Sequence, residues 1–447
     1  MAQFTLRQTK ELLTNQGGLA LVGALLNRTH MKGLLNRLPS PKERGHTFTN
    51  YDIAVSMIGL LTQAKTDFEA IELFNEDAFF RLALQLRRVP SAPTLRQRLD
   101  KATEEWDQVF RQTVLELLAH HTHLTACYED YIPIDMDVSP MDNSDTKKEG
   151  VSLTYKKFEG YAPLFVYIGQ EGYWLNLDFR QGNRHSQCEG TVEFLTETLE
   201  SLHQLSYQKY LLRADSGHDS VDNYRAIEQF NERSQEVHVD FIVKHNLRRE
   251  SKESWLELAK AQGQKETPRE GKTVYTGRIL KDYPDLEHPL YQVYQVTVRT
   301  SKSNGQQLLI PDIQVDVYIT SLEIPEKDVI ALYHEHATSE QYHSEIKSDM
   351  GLERLPSGYF ATNQRIMFLA MVAFNLLRIM GQESLDYKGN PIKTRHRIRR
   401  RRLRSVIQDL VYLAVRLIRH ARGWALGFGR VSPFYQTFAH LYYRWAG

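Results

Sequence analysis

The amino-acid sequence predicts a mixed α/β protein: a central sheet with flanking helices, interrupted by a β-rich insertion, preceded by a helical domain and followed by a basic helical region. Three observations predict it. Apolar residues recur at helical spacing through residues 1–130; "YIPIDMDVS" then switches to a period of two; and strands in meander are followed by helix, strand, helix, strand. The expected divisions are a helical domain over 1–130, the first part of the α/β core over 131–248, the insertion over 249–324, the second part of the core over 325–385 and the basic helical region over 386–447.

In the first segment "NYDIAVSMIGLLTQAKTDFEAIELF" spaces its apolar side chains as a helix does. "SAPTLRQRLDKATEEWDQVFRQTVLELLAHH" opens on serine and proline before a long amphipathic run. In "YIPIDMDVS", Ile132, Ile134 and Met136 alternate with Pro133, Asp135 and Asp137, which is a strand. "APLFVYIGQEGYWLNLDFRQGN" reads as a hairpin turning at "QEG". "GTVEFLTETLESLHQLS" and "SVDNYRAIEQFNERS" are helices that alternate with the strands "YLLRAD" and "VHVDFIVKHN". The insertion holds "TVYTGRIL", "LYQVYQVTVRT" and "IQVDVYIT", all β-rich, and the apolar helix "NQRIMFLAMVAFNLLRIM" belongs in a core.

Composition narrows the class. A chain of 447 residues with 41% hydrophobic and 25% charged residues has the make-up of a folded globular protein. Cys127 and Cys188 are the only cysteines, which excludes a disulfide framework and a four-cysteine zinc site and suits a reducing cytoplasm. No run of about 18 uncharged apolar residues predicts a membrane span, and "MAQFTLRQTKELLTNQ" lacks the features of a secretory signal. The net charge of +1 hides an asymmetry, because residues 391–447 carry 13 Lys/Arg against one acid, Asp409. The core of this excess is "KTRHRIRRRRLR", and Arg399, Arg400, Arg401 and Arg402 are expected to meet the phosphates of a polyanion, supplying affinity more than specificity.

Candidate chemistry comes from acids. Asp135 and Asp137 lie two apart on a strand and share a face, while Asp215 ends the buried strand "YLLRAD" ahead of the turn "SGHD", where open α/β sheets place ligands. In "YHEHATSEQYHSEIKSD", Tyr333, His336, Glu340 and Lys347 recur at steps of three, four and seven, so they are expected on one helical face, a polar one suited to a charged partner. Glu340 completes a triad with Asp137 and Asp215, and Glu345 competes with it for that place. Three gathered carboxylates need a hard cation, and two Mg²⁺ or Mn²⁺ ions beside a phosphodiester answer that need. His334, His336 and His343 lack the HExxH spacing and a thiolate, which argues against zinc.

The order Asp137, Asp215, Glu340 resembles that of the DDE transposases of bacterial insertion sequences, whose catalytic domain has an RNase H-like, retroviral-integrase-like fold. One large branch carries Y-x2-R-x3-E-x6-K, and here Tyr333, His336, Glu340 and Lys347 fall in that register with histidine in the place of arginine. The resemblance implies cut-and-paste transposition. Asp137, Asp215 and Glu340 would be the catalytic residues and the ligands of two Mg²⁺ (or Mn²⁺) ions. Asp135 is the alternative first acid, with Ser139 shortly after Asp137 favouring the latter. Tyr333 and Lys347 would hold terminal phosphates, and His336 would do so when protonated. Implied partners are double-stranded DNA with terminal inverted repeats, target DNA and a second copy of the chain in a synaptic homodimer. The N-terminal helical domain would bind DNA, and the basic C-terminal region would contact DNA, mediate oligomerisation, or both. A cytoplasmic, nucleoid-associated protein without membrane contact is expected. The alternatives are a nuclease of the same fold without strand transfer, or an inactive DNA-binding regulator.

Overall fold

The computed structural model describes residues 4–41, 48–248, 250–302, 304–393, 398–421 and 423–447; Thr394–Arg397 of the basic run lie outside them. The chain divides into two compact units, one formed by Met1–Thr122, Thr146–Glu149 and Ser344–Gly447, the other by His123–Asp145 and Gly150–His343.

The second unit is built on strands β1 (Ile132–Val138), β2 (Leu164–Ile168), β3 (Tyr173–Asp178), β4 (Lys209–Ala214), β5 (His238–Lys244), β6 (Gln264–Arg269), β7 (Lys272–Lys281), β8 (Leu290–Ser301) and β9 (Gln307–Thr320). Among the described residues they form one nine-stranded sheet in the order β6-β7-β8-β9-β5-β4-β1-β2-β3. The β2–β3 hairpin turns through Gly169 and Gly172, both at positive φ (75° and 67°) that a side chain would strain. β1 runs antiparallel to β2 and parallel to β4, and β4 is parallel to β5. Parallel neighbours need crossovers, and the helices Thr191–Ser201 and Val221–Arg233 supply them.

The β-rich insertion does not stand apart from this sheet but lengthens it. Tyr318–Thr320, the end of β9, pair antiparallel with Ile242–Lys244 of β5, so the ladder continues from core to insertion. The insertion also has an apolar cluster of its own, where Trp255 and Ala259 pack on Tyr294, Val296, Val315 and Val317.

The first unit is mainly helical. Asn50–Leu61 starts on a capping box between Thr49 and Asp52, and Ala92–Asp100 starts on Ser91 with proline in its first turn. The 27-residue helix Phe360–Asp386 is long and apolar enough to cross a membrane, yet 89% of its most apolar stretch is buried inside the protein. The C-terminal region is not wholly helical, contrary to the expectation: Val415–His420 and Gly423–Phe428 form a hairpin that pairs with Leu12–Thr14. Val415 and Leu417 point inward while Arg416 is exposed, a period of two that the charge of the segment obscures.

Candidate active site: two acid strands and a helix that reads them

The register of β1 against β4 sets the site. Met136 lies beside Ala214 in the parallel pair, so the next residues, Asp137 and Asp215, emerge together at the carboxyl ends of adjacent strands. The helical segment Glu326–Ser344 brings Tyr333, His336 and His343 to the same acids, with an α-helix over Glu326–Glu335, a 3-10 turn over His336–Thr338 and a second α-helix over Ser339–Ser344. Gly172 admits this segment: a Cβ there would lie 2.2 Å from the Tyr342 ring.

Asp135 is closed off. Arg213 of β4 donates from Nε and from its terminal nitrogen to the two Asp135 oxygens, each at 2.8 Å, and His336 Nδ1 donates to Oδ1 at 2.9 Å. Burial would raise the Asp135 pKa, but Arg213 and His336 more than offset it and hold the carboxyl below its ordinary range. Arg213 also donates to the Leu332 carbonyl at 2.9 Å, so this knot ties β1, β4 and the helix together.

Asp137 is the open member of the pair. Its Oδ2 accepts from His343 Nε2 at 3.1 Å, and its side chain keeps 21% exposure where that of Asp135 keeps 3%. Burial again works against ionisation, and the His343 hydrogen bond with the fields of the nearby imidazoles outweighs it, lowering the pKa. Asp215 goes the other way: burial first, then the charge of Asp137, raises its carboxyl above the ordinary value. Its side chain is 46% exposed and caps the following turn by accepting from the Gly217 amide at 3.1 Å. The acids therefore sense each other, and one of them opens to solvent.

Tyr333 is half-buried, its ring 4.7 Å from that of Tyr318. Burial and the fields of Asp215 and Asp137 hold its hydroxyl protonated. Tyr155, which the sequence reading did not single out, stands in the same fields; burial and then Asp137 and Asp215 push its pKa up to about 12. His336 is instead 6% exposed and occupied by Asp135, where the sequence led us to expect an imidazole facing a phosphate. The helix face that lacks oil does meet charge, and that charge is on β1.

Glu340 is exposed, between the two histidines that contact β1. Among the described residues no three His, Cys, Asp or Glu side chains already stand in coordinating geometry. Lys347 belongs to the first unit, on the π-helical turn Glu345–Asp349, so the expected single helical face is broken by changes of pitch. Glu345, the competing third acid, is 1% exposed and bound to Arg378 and Arg400. The arginine run is mostly folded in as well. Arg401 is buried against Asp409 and Ser384, and Arg402 donates to both Asp349 oxygens at 2.7 and 3.0 Å, while Arg399 is exposed.

The residue the sequence reading missed outright is Arg213. An arginine inside the apolar run "YLLRAD" is a signal in hindsight, since a buried guanidinium demands a carboxylate on the neighbouring strand.

No curated protein matches the sequence. Among solved structures, the cryo-EM structure of a piggyBac transposase synaptic complex with hairpin DNA aligns over 91% of this chain and 82% of that one, at 10% identity and a TM-score of 0.44. The family described as Transposase DDE domain group 1 matches residues 2–446. The chain belongs to the DDE transposases, enzymes of DNA transposition that cleave and transfer phosphodiesters with divalent metal ions.

Proposed function

We propose that this transposase cuts DNA at the terminal inverted repeats of an insertion sequence and joins the freed ends to target DNA, with Asp137, Asp215 and Glu340 as its catalytic acids. The observation that carries the residue assignment is the shared register of β1 and β4, which sets Asp137 beside Asp215 while Asp135 is consumed by Arg213 and His336. The run β3-β2-β1-β4-β5, antiparallel through β1 and parallel after it, supports an RNase H-like core.

The acid pair fits Mg²⁺ or Mn²⁺. Such ions take oxygen ligands and are bound through one or two carboxylates plus substrate phosphate, and Asp215, its pKa raised by burial and then by the charge of Asp137, would be relieved by a cation. Asp137 keeps Oδ1 for a ligand while His343 holds Oδ2, and half-exposed Asp215 opens the site to a phosphate. Glu340, assigned as the third acid, lies on the helical segment that His336 and His343 fasten to β1. Two ions bound there would activate the attacking oxygen and stabilise the leaving one. The chain's own groups are assigned to hold the strand. Tyr333 offers a protonated hydroxyl beside the acids, Lys347 is assigned to a terminal phosphate, and Arg399 supplies backbone affinity, as Arg400, Arg401 and Arg402 do to the extent that their acid partners release them. The working form is a homodimer holding two ends in synapsis, in the cytoplasm at the nucleoid.

The test is incubation of the purified chain with DNA carrying its element's ends and Mg²⁺, followed by mapping of cut ends and a transfer assay with pre-nicked ends. Cleavage and joining that vanish in Asp215→Ala with DNA binding intact support the reading. Cleavage without joining makes the protein a nuclease, and binding alone makes it a regulator.

A further inference from the structure

The turn after β4 reads Asp215-Ser216-Gly217-His218. It closes in one 3-10 turn, with the His218 amide donating to the Asp215 carbonyl at 3.0 Å, and this turns the imidazole back towards Asp215. His218 is 1% exposed, and neither Nδ1 nor Nε2 has a hydrogen-bond partner. Leaving such a group buried and unsatisfied costs about 1–3 kcal/mol, so an apolar side chain would serve packing better. Its Nε2 instead points towards Asp215, 3.9 Å from Oδ1, too far for a hydrogen bond. Two donors each about 2.1 Å from one ion stand at most about 4.2 Å apart, so the gap lies within reach of a shared cation. A small rotation of the half-exposed Asp215 carboxylate would narrow it.

We propose that His218 is a nitrogen ligand of the divalent ion held by Asp137 and Asp215. The site then has a mixed donor set that favours Mn²⁺ and later transition ions over Mg²⁺, because imidazole is a poorer partner for Mg²⁺ than carboxylate or water. The inference rests on the reading of Asp137 and Asp215 as the ion-holding acids.

The experiment is Mn²⁺ binding to the full chain without DNA, followed by calorimetry and by electron spin-echo spectroscopy. The spectroscopy detects a nitrogen bonded to the ion. Wild type is expected to show imidazole-nitrogen modulation, replaced by the ¹⁵N pattern when histidine is isotopically labelled. His218→Leu should lose the modulation and bind Mn²⁺ about 10- to 100-fold more weakly, with a smaller change for Mg²⁺. Its metal-free Tm should equal or exceed that of wild type, the reverse of what a histidine serving the fold would give. If the leucine variant fails to fold, His218→Gln and the labelled wild-type protein still decide the matter. Absence of nitrogen modulation in wild type, or its persistence in His218→Leu, overturns the proposal. Weakened binding in Asp137→Asn and Asp215→Asn with none in His218→Leu overturns this inference alone. Binding indifferent to all three variants overturns the acid-pair reading as well.

Discussion

His343 Nε2 donates to Asp137 Oδ2 at 3.1 Å, and Nδ1 of the same ring lies 3.0 Å from the Tyr167 hydroxyl. The ring thus bridges the Tyr167 hydroxyl and the Asp137 carboxylate. Seven residues earlier, His336 makes the equivalent contact to Asp135. The polar face of this helix is thus a two-point clasp on the carboxylates of β1, and Glu340 comes between the two histidines along the chain.

His343→Leu removes the donor that fixes the Asp137 carboxylate. Loss of an outer partner of this kind lowers metal affinity or activity about 10- to 100-fold. His343→Gln, whose amide nitrogen reaches a similar position, should recover part of it. Cleavage rates against Mg²⁺ concentration check this, and equal rates for leucine and glutamine would contradict the orienting role.

At His336 the balance is electrostatic. Burial opposes its charge, but the Asp135 hydrogen bond and the fields of Asp135 and Asp137 prevail and raise its pKa above 6.5, against the opposing charge of Arg213. A histidine raised on folding contributes stability that is complete below its unfolded pKa and is lost as pH rises through the folded one. Thermal melts from about pH 6 to about pH 9 should therefore show wild type losing stability relative to His336→Gln. His336→Arg forces a second guanidinium beside Arg213 in a closed space, and a lower Tm is expected for it.

What was legible in the sequence was whatever depends on near neighbours. The alternation in Ile132–Val138, the turn at Gly169–Gly172 and the place of Asp215 at a strand end follow from period and turn chemistry, and the structure has them. What escaped was pairing at long range. Arg399–Arg402 read as an unpartnered arm because Glu345 and Asp349, which bind Arg400 and Arg402, come some 50 residues earlier, among acids that looked catalytic or solvated. His336 read as a phosphate ligand because Asp135 is 201 residues away. The hairpin at Val415–Phe428 was masked by its charge, since Arg416 sits on the outward position between buried Val415 and Leu417.

Asp135 serves the fold. Asp135→Ala strands Arg213 in the interior without its counter-charge, and breaking a buried pair from one side costs about 3–5 kcal/mol. Chemical denaturation should show that loss.

Asp215→Asn should do the opposite. It relieves a carboxyl whose pKa is raised by burial and by Asp137, so the metal-free protein should be at least as stable as wild type near neutral pH, while cleavage is abolished. A variant that unfolds would show Asp215 to be a structural acid.

The arginine run divides by burial. Arg401 is 3% exposed and paired with Asp409, so Arg401→Ala should lower the denaturation midpoint by a margin typical of a broken buried pair. Arg399 is exposed, and Arg399→Ala should leave stability unchanged. Its effect should fall on DNA: affinity weakened about equally for all sequences, and the slope of log K against log salt reduced by about 1. Titrations of a duplex at several salt concentrations measure both. Neighbours in one basic stretch would then be told apart by observable, one in the melt and the other in the salt slope. An Arg399→Ala variant with unaltered slope would remove that side chain from the DNA-contacting surface, because a released phosphate contact must return its counterion.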